Sequence, residues 1–339
     1  MKTAQVGKLS WRAKIVLILL PVAAMLIALS VGRIGIPLDE ICRSVAAKVG
    51  WAQPLSDNAE TVLWTMRFPR ILLALLTGAG LSVAGCVFQS LFANPLATPD
   101  TLGVASGAGF GAALAILLGF NLVGIQISSL IFGIAAVSLS YLAGWGRGHS
   151  LNTIILAGIM IGSLFNALLS LVKYVADVDS QLPAITYWLM GSLNTASYKS
   201  LAMGAPLILI GIAVTFLLRW RMNVLPLSED EAKTSGVNIT VLRIIMVFAA
   251  TAITASCVSM CGQVGWIGLL IPHICRMKFG NNHLSLVPAS IFIGAAFMVL
   301  VDTLARCLTA SEIPVSIITA ILGAPFFVYL LRKSGGWKL

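Results

Sequence analysis

Apolar runs of about twenty residues recur along almost the whole of this sequence, and they constrain the fold more than any other feature. Lys14 to Val31 reads KIVLILLPVAAMLIALSV, with no acidic residue and one cation at its edge. Runs of roughly 18 or more apolar residues are long enough to cross a bilayer as a helix. Hydrophobic residues make up 58% of the 339 positions and charged residues only 10%. Soluble domains carry about 25% charged residues, so this chain lacks the polar surface a water-soluble globule needs. The expectation is an all-α integral membrane protein.

Ten spans are predicted, near residues 12–32, 62–82, 104–120, 125–145, 154–174, 201–219, 240–261, 264–279, 286–306 and 314–332. The third and eighth are short, and the second extends toward residue 92, as a tilted or broken helix would. An even count places both termini on one side. With the N-terminus inside, fourteen of the 22 Lys and Arg residues fall on the cytoplasmic side and eight outside, in keeping with the positive-inside rule. The net charge of +10 is then a matter of topology and argues against a nucleic-acid partner. The first run follows Lys2, Lys8, Arg12 and Lys14, and Ala28-Leu29-Ser30 makes a poor cleavage site; it is read as an uncleaved helix.

No linker or low-complexity stretch divides residues 1–339, so a single membrane domain is expected. TGAGLSVAGCVFQ (77–89) and TAITASCVSMCGQ (251–263) share Thr, Ser and Gln in register. On this topology they run in opposite directions, which marks an inverted internal repeat. Small residues crowd LTGAGLSVAGC and VASGAGFGAALA, the composition that lets membrane helices approach closely. The six cysteines lie mostly in spans and form no CxxC pair. Cys257 and Cys261 share a helix face, which reads as packing before metal binding.

One segment breaks the apolar pattern. PLSEDEAKTSGVNI (226–239) holds three of the chain's twelve acidic residues side by side. Ser228 and Glu231 have capping-box spacing, Glu229 and Asp230 favour the start of a helix dipole, and Gly236 suits a left-handed stop. A short polar helix on the cytoplasmic face is expected, either an ordinary solvated loop or a docking element for a soluble partner.

Other local features invite chemistry and give little. Asp302 is the lone carboxylate well inside a predicted span, with Arg306 four residues on; an intrahelical ion pair is expected. One buried carboxylate is few for an ion-coupled transporter. Val104-Ala105-Ser106-Gly107 lacks the glycine of a G-x-S-G protease motif. His273 has no second ligand at helical spacing and reads as a helix-end hydrogen bond, while His149 and His283 read as loop residues. No G-x-x-x-x-G-K-[ST] phosphate loop is present, so ATP-driven work needs a separate ATPase.

The acidic segment resembles the coupling loop of the permease subunits of ABC importers for iron-siderophores, haem and cobalamin. The blocks RFPRILLALLTGAGLSVAG (67–85), FANPLATPDTLGVASGAGFG (92–111), QLPAITYWLMGSL (181–193), GQVGWIGLLIPHICR (262–276) and VDTLAR with EIPVSIITAILGAPFF (301–306 and 312–327) follow in the family's order. The resemblance implies a subunit that does no covalent chemistry and binds no cofactor. It implies a second permease (identical or a paralogue), two ATPase subunits carrying ATP and Mg, and a substrate-binding protein, all at a cell inner membrane. It places ATPase coupling at Ser228, Glu229, Asp230, Glu231, Ala232 and Gly236. It places binding-protein docking at Arg67, Arg70 and Arg306, and the inner gate at Asn94, Leu96, Ser150 and Leu151. Leu151 stands where some members have a small hydroxyl residue. The cargo implied is an iron chelate or corrinoid; molybdate-type oxyanion importers share the architecture and are the alternative.

Overall fold

The computed structural model describes residues 9–32, 34–144, 151–227, 231, 234–309 and 311–333. Its helices are α1 (Trp11–Ser30), α2 (Leu38–Lys48), α3 (Asp57–Leu91), α4 (Val104–Leu117), α5 (Leu122–Gly144) and α6 (Leu151–Val175). They continue with α7 (Gln181–Leu189), α8 (Tyr198–Leu218), α9 (Ile239–Cys261), α10 (Ile267–Phe279), α11 (His283–Cys307) and α12 (Val315–Lys333). No strand occurs among the described residues. Among the described residues, seven helices are long and apolar enough to cross a membrane: α1, α3, α5, α6, α8, α9 and α11. Each of the ten predicted runs falls on a helix. However, α4 with 14 residues and α10 with 13 are shorter than a full crossing, and the apolar part of α12 covers only Val315–Tyr329, so length and composition support seven spans among the described residues. Two helices, α2 and α7, are too short and too mixed to stand out as apolar runs.

Helix α3 is the hub. In its most apolar window 83% of residues are buried, against 22% for α1 and 28% for α5. It packs on α8, α9, α10 and α11, while α1 lies against α11, and α4 with α5 and α6 forms a neighbouring layer. The segments 77–89 and 251–263 lie on α3 and at the end of α9, the two most buried spans. After its first α-helical turn, helix α3 widens into a π-helical segment over Thr61–Arg67, and α2 is tied to it. Ser44 Oγ donates to Glu60 (2.6 Å) and Trp64 Nε1 donates to Ser44 (2.9 Å).

The antiparallel seam between α3 and α11 runs the length of the bundle. Arg70 meets Asp302, Gly78 meets Gly294, Cys86 meets Ser290 (3.2 Å), and Ser90 meets His283. From Arg70 to Ser90 is about 30 Å of helix, roughly the hydrocarbon thickness of a bilayer. Glycine makes the seam possible. A Cβ on Gly78 would collide with the Gly294 carbonyl, and one on Gly85 with the Gly268 carbonyl of α10. Both obstacles are backbone, so neither can swing aside. The small-residue clusters seen in the sequence are thus helix contacts of this kind.

Gly85→Val is expected to destabilise the fold by about 1–3 kcal/mol through overpacking, read as a lower thermal midpoint of the purified protein. Gly35, where a Cβ would meet nothing within 4 Å, is the control: Gly35→Ala should stay within about 0.5 kcal/mol. Equal midpoints for the two variants would show that the α3–α10 approach is not tight.

Candidate functional site: an arginine knot at one end and a coupling segment at the other

At the α1, α3 and α11 end, three guanidiniums and two carboxylates gather. Arg70 grips Asp302 with both arms: Nε lies 2.9 and 3.0 Å from the two carboxylate oxygens, and Nη2 lies 2.8 Å from Oδ1. Its remaining arm, Nη1, donates to Glu312 Oε2 at 2.9 Å. Asp302 is 1% exposed, so its charge is supported by this fork and not by water. Charge-assisted, two-armed pairs of this kind are the strong class of hydrogen bond.

The intrahelical pair expected from spacing is a minor contact. Arg306 Nε stands 3.9 Å from Asp302 Oδ2, while its Nη2 donates to the Ala28 carbonyl. The principal partner of Asp302 is Arg70, 232 positions away in sequence. Spacing found the buried carboxylate and missed its partner because only the tertiary pairing of α3 with α11 brings them together.

The resemblance assigns Arg67 to binding-protein docking, yet in the structure it is 5% exposed and donates to the carbonyls of Leu29 and Ile34. Arg306, 8% exposed, does the same for Ala28. Helix C-termini leave their last carbonyls without partners and carry partial negative charge. Arg67 and Arg306 satisfy both needs for α1. A cavity of about 400 Å³ borders the knot, lined in part by Arg67, Arg70, Arg306, Asn194 and Glu312. Glu312 sits at φ +44°, in the left-handed region that is uncommon for a residue with a side chain. The three arginines and two carboxylates leave one positive charge over.

At the opposite end, Arg221–Val224 forms one 3₁₀ turn before the acidic segment, and Asn238 caps α9 by accepting from Val241 N (3.1 Å). Of the residues that the resemblance assigns to coupling, Ser228, Glu229, Asp230 and Ala232 lie outside the described residues. Glu231 is helical, and Thr234 Oγ1 donates to its carbonyl (2.7 Å). Gly236 has φ +69°, the left-handed stop its position predicts. Among the gate residues, Asn94 and Leu96 are exposed on a tight turn after α3, where Asn94 Oδ1 accepts from Leu96 N (2.9 Å). Leu151 begins α6; its side chain, and all of Ser150, lie outside the described residues.

His283 was read as a loop residue and is not one. It starts α11, is 5% exposed, and bridges Ser90 at the end of α3 to Asn223 (2.9 Å), just ahead of the coupling segment. The apolar run that follows it was the only sequence signal. His273 lies within α10 beside Phe327, and its buried Nδ1 makes no hydrogen bond among the described residues. Among the described residues no cluster of three His, Cys, Asp or Glu could hold a metal. The Cys261 thiol donates to the Cys257 carbonyl (3.0 Å), a packing contact.

A helical bundle of apolar spans, with ion-paired charge at one end and a capped polar segment at the other, defines a multi-pass membrane protein. Comparison with known proteins narrows the class. The chain belongs to the FecCD transport family, which matches residues 18–333, and is an ABC importer permease. It is 41% identical over 323 residues to the molybdate import system permease protein MolB of Haemophilus influenzae, covering 94% of this chain and 96% of that one. It is 37% identical over 299 residues to an iron chelatin transport system permease of Helicobacter pylori, covering 88% and 90%. A solved metal-chelate type ABC transporter in an inward-facing conformation superposes with a TM-score of 0.84 at 40% identity, covering 94% of this chain and 99% of that one.

Arg67→Ala is expected to leave the carbonyls of Leu29, in the last turn of α1, and of Ile34, just beyond it, without their charged donor and to cost about 1.5–3 kcal/mol. Hydrogen exchange should then quicken around residues 29–36 and leave α9 unchanged. An unaltered exchange pattern would mean that Arg67 does not hold the end of α1.

Proposed function

We propose that this chain forms half of the membrane pathway of an ATP-driven importer for chelated iron. A second permease, identical or paralogous, supplies the other half, two ATPase subunits bind at the coupling segment, and a substrate-binding protein delivers cargo at the arginine knot. Both termini lie in the cytoplasm. The observation that carries the proposal is the match of the family along residues 18–333 together with a polar coupling segment between two apolar helices. Movement of ATPase subunits against that segment shifts the helices between two arrangements of different affinity for cargo and partners. Asn94, Leu96, Ser150 and Leu151 form the inner gate in this scheme.

The corrected geometry changes how docking works. Arg67 and Arg306 hold α1 in place, and Arg70 is shared between Asp302 and Glu312. The knot therefore meets an acidic binding protein as a preorganised site with one surplus positive charge. Such complementarity acts mainly on association rate and weakens with salt. A second cargo reading, a molybdate-type oxyanion, is favoured by the 41% identity to MolB across nearly the whole of both chains.

Reconstitution with the ATPase and binding protein in liposomes tests both readings. Uptake of labelled iron chelate should require ATP and fall several-fold when Glu229, Asp230 and Glu231 are replaced by alanine, with reduced ATPase co-purification and unchanged membrane insertion. Uptake of labelled molybdate in place of the chelate would select the second reading. Transport without ATP, or an alanine triple variant that associates and transports normally, would contradict the coupling role.

A further inference from the structure

A cavity of about 700 Å³ opens at the coupling-segment end, between the end of α3, the turn joining α10 to α11, and the residues that lead into the acidic segment. Its walls include Arg276, His273, His283, Asn223, Asn282 and Gln89. Among the described residues no carboxylate lines it. Arg276 is the unusual member. It is half-buried on α10, its Nη2 is buried without a partner, and among the described residues no carboxylate stands within salt-bridge distance of it. His273 Nδ1, one helical turn away, is likewise unpartnered. Every other membrane-end arginine discussed above is matched to a carboxylate or to helix carbonyls.

A guanidinium with one arm buried and no counter-charge among the described residues is costly to hold, since buried charges in proteins are paired. We propose that this cavity is an anion site that takes a tetrahedral, phosphate-type oxyanion, with Arg276 supplying the charge. The surrounding amides of Asn223, Asn281 and Asn282 and the hydroxyl of Ser90 furnish hydrogen-bonding groups from three separate elements. That arrangement suits a compact ion with acceptors on every side better than a single planar carboxylate. The volume, several times that of one such ion, leaves room for its hydration. The occupant would touch Asn223 and Asn282, which hydrogen-bond one another (3.3 Å). Through Asn223 it would contact the partner of His283. The site therefore sits where the α3–α11 seam meets the coupling segment, and filling it would stiffen that junction. This inference does not depend on which cargo the transporter carries.

The test is equilibrium dialysis of radiolabelled inorganic phosphate against the full-length purified chain, in phosphatidylcholine nanodiscs and separately in phosphatidylglycerol nanodiscs. Saturable binding is expected, weakened about tenfold or more in Arg276→Gln, which corresponds to loss of one charge-assisted contact. Asn281→Asp, on the exposed turn, should abolish binding by placing a negative charge on the wall and should leave the thermal midpoint unchanged. Binding in both lipids identifies a free anion as the occupant; binding in phosphatidylcholine alone identifies the phosphate of an anionic lipid headgroup, and either supports an oxyanion site. Absence of saturable phosphate binding in both lipids would overturn it. So would equal affinity in wild type, Arg276→Gln and Asn281→Asp. Binding that emerges only when Glu229, Asp230 and Glu231 are alanine would overturn it too, by showing that the chain's own acidic segment fills the cavity.

Discussion

The fork between Arg70 and Asp302 is the contact on which the rest of the arrangement depends. A carboxylate 1% exposed within an apolar helix needs a partner that neither water nor lipid supplies. Arg70 meets that need from α3, and in doing so fixes where α3 lies along α11. Eight residues further along each helix, Gly78 and Gly294 come into backbone contact, and beyond them Cys86 meets Ser290 and Ser90 meets His283. A slip of one residue at the fork would drive side chains into the glycine contact. The ion pair sets the register, and the glycines allow the packing that the register demands.

That seam connects the two ends of the bundle. At the knot, Arg67 and Arg306 fasten the last carbonyls of α1, while Glu312 adds a second carboxylate to Arg70. At the other end His283 joins α3 to Asn223 and so to the start of the coupling segment. In the importer proposed above, a central helix held at both ends would carry motion between partners on opposite membrane faces. The lightly buried helices α1, α5 and α8 surround it with exposed apolar side chains.

Local signals in the sequence carried far. The positions of the ten apolar runs, the shortness of the third and eighth, and the extension of the second to Leu91 were all legible, because hydrophobicity and length are properties of contiguous residues. Gly236 was legible as a left-handed stop for the same reason. Asp302 could be recognised as a charge needing support, yet its support came from a helix that no spacing rule selects. The contact of Arg67 with the end of α1 was not legible, because an arginine beside a membrane edge looks alike whether it faces water or caps a distant helix end. His283 was misread because the turn before it is polar; only the fold shows that the turn folds back onto Ser90 and Asn223.

The account stands most directly on the energetic coupling of Arg70 with Asp302. A double-mutant cycle with Arg70→Ala and Asp302→Ala, read as unfolding free energy of the reconstituted protein, measures it. Each single change should cost about 3–5 kcal/mol by stranding a buried charge. The double variant should cost less than the sum of the two by about 1–3 kcal/mol. Additive costs would show that the two residues act independently, and that the fork does not hold α3 against α11.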